Sequence, residues 1–399
     1  MNTDEFFLQK PIDLGKLDKY GLHIYNGKLS KLVDFPFNLP MIYNESKNII
    51  ILNNTVLAFI HIQKTGGSLY EDRLVRSGFI NKTCLCTHGT RRCSCRNSSG
   101  NTWIFSRFST GWSCGLHADF TELIECIDHK LTKIDGTHDQ RQYYFITLLR
   151  EPTSRYLSEW LHVRRGATWS GARLSCSGQR ISIPRTYQPC SFFPVSPLPN
   201  SKTGEYAITS GHFLSKDRNV SSRLNVTLLD FLSCEMNLAA NRQTRMLADL
   251  RLLGCYTNLK SWCSPVPEGM VLSNAQSSLL HSAIENLDNF KFHLHTRYPI
   301  RKKRAQYFGI AFFGLMEFPV LSQYLLQQTI GLTFKHHLSE FTPKSFPKSK
   351  KTSLWSILKS RFLLNNNGMF GSLRSQIHHH THVDRIIHQI SAKEHDMIQ

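Results

Sequence analysis

Acidic residues are scarce in this 399-residue chain: 29 Asp and Glu face 48 Lys and Arg, a formal charge of +19. That imbalance calls for an anionic partner or environment, and nucleic acid, acidic membrane, sulfated polysaccharide and phosphorylated nucleotide all satisfy it. Long apolar runs are missing as well. The first 40 residues, beginning MNTDEFFLQK, hold neither a basic-then-apolar signal nor the roughly 20-residue apolar stretch of a membrane span. Cysteine is absent before Cys84 and after Cys263, so all eleven mark one structural unit. No GxxxxGK(S/T) motif occurs, which weakens any ATPase or kinase reading. What is present excludes a disordered or collagen-like chain, because hydrophobic residues make up 41% and aromatics 11%. One large domain with basic extensions fits the length best.

The cluster Cys84-Leu-Cys86, six residues, Cys93-Ser-Cys95 lacks the spacer of a usual zinc knuckle, so disulfides are favoured there over a metal. Asn44, Asn53, Asn81, Asn97, Asn219 and Asn225 each begin an Asn-x-Ser/Thr sequon, in keeping with an oxidising, glycosylating compartment. Such a compartment demands a targeting segment. The chain is therefore expected to lack its true N-terminus, in preference to being a soluble protein with reduced cysteines.

Val56 to Ile62 reads as a strand covered on both faces, followed by a glycine turn and a helix from Leu69 to near Gly78. Tyr143 to Leu149 and Thr153 to Arg164 repeat the strand–turn–helix unit. Further helices are expected over Asn237–Leu250, Ala275–Leu287 and Pro319–Thr329, and a strand over Phe308–Leu315. Strands alternating with helices predict an α/β fold, a three-layer domain with a central, mostly parallel sheet. The expected division is an N-terminal extension over 1–47, a domain over 48–335, and a basic, His-rich, loosely ordered tail over 336–399. Insertions are expected near 194–223, rich in Pro, Ser, Gly and Asn, and near 291–304, a basic loop.

The segment Phe59-Ile-His-Ile-Gln-Lys-Thr-Gly-Gly-Ser68 carries the most chemistry. Gly66 and Gly67 let backbone amides approach an anion, Thr65 and Ser68 bring hydroxyls, Lys64 brings a charge, and a helix starts beside them. Attack by a hydroxyl on an activated group also needs a proton acceptor, for which His61 and His117 are candidates. Trp160, His162, Arg164, Arg165 and Trp169 interleave aromatic and basic groups, and Trp112 lies close to His117 in sequence. Core packing competes with this reading at Trp112 and Trp160, and a solvated helix end at Arg164 and Arg165.

HIQKTGGS, FSRFSTGWSCGLHADF, TLLREPTSRYLSEWLHVRRGATW and NLAANRQTRMLADL closely resemble, in order, segments of the heparan-sulfate 6-O-sulfotransferases. The resemblance runs from Val56 to Thr333. It implies a P-loop-like nucleotide sulfotransferase fold. It also implies sulfuryl transfer from 3′-phosphoadenosine 5′-phosphosulfate to the 6-hydroxyl of N-sulfoglucosamine in heparan sulfate, by direct in-line attack without a metal. On this resemblance His117 is the base, and His61 lines or supports the nucleotide pocket. Lys64, Thr65, Gly66, Gly67 and Ser68 form the 5′-phosphosulfate loop, and Lys64 also acts in catalysis. Arg150 and Ser158 hold the 3′-phosphate, with Arg155 a lesser contributor. Arg164, Arg165, Trp169, Trp112 and Trp160 bind acceptor. The family further implies a glycosylated, disulfide-bonded type II membrane protein of the Golgi lumen, with its anchor missing from this sequence. Heparan sulfate or a heparin-like polyanion is then the expected partner, and nucleic acid is not. The alternatives are an inactive sulfated-glycan-binding protein and a heparan-sulfate sulfotransferase of other positional specificity.

Overall fold

Thr55–Ile60 (β1) is buried at every position, and its side chains divide between two cores by alternation. Val56, Ala58 and Ile60 enter one cluster, while Leu57 and Phe59 enter the other. A strand buried on both faces must lie inside a sheet covered by helices on each side. The computed structural model describes residues 54–80, 82–164, 174–176, 179–180, 195–197, 206–208, 226–234, 237–266, 270, 272–295, 300–302, 305–335 and 375–396.

The central sheet adds Ile104–Phe105 (β2), Gln142–Leu149 (β3), Ile300–Lys302 (β4) and Ala305–Leu315 (β5). Its order is β4-β5-β3-β1-β2. β1 lies parallel to β2 and β3, β5 lies parallel to β3, and only the edge strand β4 is antiparallel to its neighbour. Gly67–Ser77 (α1) and Pro319–Ile330 (α6) cover the face holding Leu57, Ile146 and Phe312. The other face is covered by Phe120–Asp135 (α2), Pro152–Val163 (α3), Arg242–Leu247 (α4) and Asn274–His295 (α5). The three-layer α/β expectation holds.

Local sequence explains the element boundaries. Asp119 and Glu122 form a capping box that starts α2, and Gly136 at φ 71° ends it. Glu151 accepts from the amides of Thr153 and Ser154 at 2.9 and 2.7 Å, and Pro152 supplies the first turn of α3. Disulfides Cys84–Cys95 and Cys86–Cys93 close one hairpin, so all four sulfurs of the CxC cluster are used in cross-links. Cys114–Cys126 pins the loop after β2 to α2, and Cys176–Cys255 spans 79 residues. Among the described residues no helix is long and apolar enough to cross a membrane.

Four expectations change. The segment expected as one helix over 237–250 is a turn, then α4, then the 3-10 stretch Leu250–Leu253. The expected basic loop near 291–304 is partly regular: α5 runs on to His295, and β4 pairs with β5. Of the segment near 194–223, Val195–Pro197 and Tyr206–Ile208 pair as an antiparallel hairpin.

The tail differs most, because residues 375–380 are helical and His382–Asp396 (α7) packs on the domain. Ile377, Val383 and Ile387 enter the main core. Fully buried Asp384 accepts from the amides of Gln243 and Thr244 at 3.2 and 2.8 Å and from the Thr244 hydroxyl at 2.8 Å. A histidine-rich composition conceals this apolar stripe. Asp384→Ala leaves those donors unmet beside buried Arg155, and is expected to lower stability by about 3–5 kcal/mol, read from urea unfolding. Asp384→Asn, which keeps an acceptor oxygen, should lose less.

Candidate active site

Three segments meet where β1 and β2 end and α3 passes beneath them. His61, Gln63, Lys64 and Gly66 to Leu69, the loop holding Arg107, Trp112, Leu116 and His117, and Glu159, His162 and Val163 of α3 line a cleft of about 560 Å³. Its volume suits a small-molecule ligand, and the carboxyl edge of a parallel sheet is where such folds bind one.

The turn after β1 is conformationally specified. Gly66 sits at φ 87° at the start of α1, where a Cβ would fall 2.2 Å from Met316 Sδ. Lys64 adopts φ 69°, a left-handed conformation that costs a side-chain-bearing residue about 1–2 kcal/mol. Two guanidinium groups brace the turn: Arg150 Nη1 donates to Lys64 O at 3.0 Å, and Arg107 Nη1 donates to Ser68 Oγ at 2.7 Å. The amides of Gly67 and Ser68 have no acceptor among the described residues, which leaves a pair of donors at a helix start. Arg150 is itself held by Gln243, whose amide group accepts from Arg150 N at 2.8 Å and donates to Arg150 O at 2.9 Å.

His117 is the second strained residue, at φ 57°. Its Nδ1 lies 3.2 Å from the carbonyl oxygen of His61. A carbonyl only accepts, so Nδ1 carries the proton and Nε2 keeps a lone pair. Surrounding protein holds the His117 pKa well below the usual value, chiefly by desolvation and then by the charges of His61, Arg242 and Arg107, against the opposing backbone hydrogen bond. A neutral imidazole with a basic Nε2 results. His61 takes a supporting place: it is buried, its Nδ1 is paired with fully buried Glu71, and its ring packs beside those of Trp112 and His117. Glu71 also accepts from Arg107 N at 2.9 Å.

Of the residues expected from sequence, Lys64, Gly66, Gly67, Ser68, Trp112 and His117 meet in the cleft. Arg150 contacts the turn from behind. Ser158 is half-buried on α3 and outside the cleft lining. Thr65 is a correction: it is fully buried, and its hydroxyl donates to Ile62 O at 3.0 Å, so only its backbone is available. Trp160 is a second, since its ring is fully buried and its indole N–H donates to Val226 O at 3.1 Å. Arg155 is a third, being fully buried with its guanidinium on Glu159 and Ala239 O. Arg164 stacks on the Trp160 ring at 4.9 Å and does not line the cleft. Arg165 and Trp169 lie outside the described residues.

Sequence reasoning missed Arg107, Glu71, Glu159 and Gln243. Arg107 lies within the FSRFSTGWSCGLHADF segment and was discoverable there, as a cation ten residues before His117. The other three are polar residues on helices, with no local sign that they are buried.

Residues 47–306 match the sulfotransferase family. The chain is 42% identical over 282 residues to heparan-sulfate 6-O-sulfotransferase 1 of Cricetulus griseus, covering 70% of this chain and 56% of that protein. It is similarly 42% identical over 282 residues to the Homo sapiens protein of the same name, covering 70% and 55%. With heparan-sulfate 6-O-sulfotransferase 3-B of Danio rerio the identity is 38% over 312 residues, covering 78% and 60%. The chain thus spans a little over half the length of the curated relatives it matches.

Two outcomes follow from the geometry. The imidazole of His117 should stay neutral at pH 6.5 and protonate only at lower pH, because its pKa is depressed; a histidine-resolved NMR titration with a midpoint at or above the usual 6.5 would contradict this. Gly66→Ala should cost about 1–2 kcal/mol for the left-handed backbone, with a further loss from displacing Met316, measured by chemical denaturation.

Proposed function

The chain belongs to the sulfotransferase family, and on that premise we propose that it transfers a sulfuryl group from 3′-phosphoadenosine 5′-phosphosulfate to the 6-hydroxyl of N-sulfoglucosamine in heparan sulfate. The observation that carries this reading is the placement of a neutral His117, basic at Nε2, across one cleft from the Lys64–Ser68 turn. A base for the acceptor hydroxyl and a cradle for the leaving phosphate are the two groups such a transfer requires. The named relatives, 38–42% identical, support the positional assignment to the 6-hydroxyl.

The donor supplies an activated sulfur whose leaving group is a phosphate oxygen. Lys64 and the amides of Gly67 and Ser68 stabilise the charge that grows on that oxygen. Ser68 keeps a hydroxyl at the mouth of the turn, oriented by Arg107. Arg150, with a forked guanidinium, and Ser158 hold the 3′-phosphate. His117 Nε2 takes the acceptor proton as the new oxygen–sulfur bond forms, and Nδ1 keeps its bond to the His61 carbonyl so the ring does not rotate away. Trp112 and His162, which line the cleft, contact the acceptor, and the family resemblance adds Arg165 and Trp169 as further acceptor contacts. The disulfides and sequons support an oxidising, glycosylating compartment, and the family resemblance points to the Golgi lumen.

His117→Ala is expected to lower kcat by about 10²–10⁴-fold while binding of adenosine 3′,5′-bisphosphate stays within twofold, the signature of a lost proton acceptor. Lys64→Ala should weaken both. Disaccharide mapping of sulfated product locates the new group; sulfate at another position, or near-normal turnover by a folded His117→Ala protein, would overturn the assignment.

A further inference from the structure

Between Asp72 and Asp119 the chain has no Asp or Glu and seven Lys or Arg. Most of those charges are committed. Arg76 pairs with Asp72 at 2.7 Å, Arg96 with Asp135 at 3.4 Å, Arg73 is buried, and Arg107 donates to Ser68. Arg91 and Arg92 differ, being exposed and without a carboxylate partner among the described residues. They sit at the end of a turn, Thr87–Arg92, with exposed His88 beside them.

This turn is held more firmly than an exposed six-residue loop ordinarily is. Cys86–Cys93 closes it, and Cys84–Cys95 closes the hairpin one step further in. Inside it, Thr90 Oγ1 bonds to the carbonyls of Thr87 and Arg92 at 2.8 and 3.0 Å. The hairpin is fastened to the rim of the cleft, since Cys93 N donates to Phe108 O at 2.7 Å and Trp103 N donates to Cys95 O at 3.1 Å. Arg92 leans over Gly111, with Nη1 3.5 Å from the position a Gly111 Cβ would take. The next residue, Trp112, walls the cleft, with its ring centroid 4.8 Å from that of His117 and Arg107 Cζ 5.4 Å from its centroid.

We propose that the disulfide-stapled Arg91–Arg92 turn is a second docking surface for the polyanionic acceptor, receiving sulfate or carboxylate groups on sugars remote from the one that reacts. Arg92 over Gly111, then Trp112 beside His117, lead from this turn to the base, so one extended chain engages both ends. The guanidinium pair matches regularly spaced anions by charge and by bidentate geometry. Two cross-links hold the turn in place before binding, which lowers the ordering cost of an exposed contact. Continuity with the cleft favours the acceptor glycan over a membrane surface or a nucleic acid. This inference rests on the proposed acceptor class, and it extends the contact surface beyond the reacting residue.

The test compares the full chain with an Arg91→Ala/Arg92→Ala variant on two acceptors, an N-sulfated heparan polymer and an N-sulfated trisaccharide. Expected are a KM for the polymer raised about fivefold or more, with kcat and the trisaccharide KM within twofold, and a shallower salt dependence of polymer binding. Arg91→Lys/Arg92→Lys should restore most of the polymer affinity. An unchanged polymer KM, or equal loss on both acceptors, would overturn the proposal. Donor-free retention on immobilised heparin separates this outcome from failure of the catalytic reading: if the wild-type chain transfers no sulfate yet its retention still depends on Arg91 and Arg92, the docking surface stands and the enzyme assignment falls. Heparin retention unchanged while binding to phosphatidylserine vesicles drops would also overturn it.

Discussion

The carboxylate of Glu159 lies on α3, almost wholly buried, between two arginines. Arg242 grips it with two nitrogens at 3.0 and 2.6 Å, and Arg155 reaches it from one turn back along the same helix. Burial opposes its charge, yet Arg242 and then Arg155 hold its pKa below the usual carboxylate value. The two cations need a second anion, and Asp384 of the C-terminal helix stands 3.9 Å from Arg155 Nε. Four buried charges of balanced sign therefore join α3, α4 and α7. Such a set is costly to bury and more costly to break, so it acts as a requirement that these three helices assemble together.

That requirement reaches the chemistry by two routes. Glu159 lines the cleft, and Arg242, which it fixes, is one of the charges that keep a proton off His117. Asp384 holds the backbone of Gln243, and Gln243 in turn holds both backbone groups of Arg150. The C-terminal segment thus positions a guanidinium that touches the Lys64–Ser68 turn, although it lies far outside the strand–turn–helix unit. Two strained residues, Lys64 and His117, sit at the opposite rims of the cleft. Their left-handed backbones persist because the neighbours leave no alternative: Arg150 grips the Lys64 carbonyl, and Cys114–Cys126 pins the loop carrying His117.

The βα units were legible because their signal is local. Val56 to Ile60 is apolar at every step, the glycine pair breaks the run, and periodic apolar residues follow, so strand, turn and helix declare themselves within about twenty positions. The disulfide reading of the CxC cluster was legible for the same reason, through spacing. The Trp160 ring and the Thr65 hydroxyl were expected at the ligand yet are buried, because nothing within a few residues tells an aromatic or a hydroxyl whether it faces a cleft or a core. Arg155 failed likewise, since its partner Glu159 is adjacent in sequence while the burial that makes the pair structural comes from α4 and α7.

Sequence alone determined the parallel α/β core, the cationic glycine turn and the family resemblance, since these depend on alternation, spacing and backbone freedom within short windows. Tertiary structure decided which histidine keeps a basic nitrogen, which arginine lines the cleft, and that residues 375–396 pack on the domain. Those outcomes depend on desolvation and on pairings between groups far apart in sequence, such as Arg155 with Asp384. The deficit of acid is sharpened in the same way: Arg76, Arg96 and Arg107 are spent on partners and Arg73 is buried, and the fold leaves Arg91 and Arg92 at the surface, because the carboxylates that would neutralise them lie elsewhere in space.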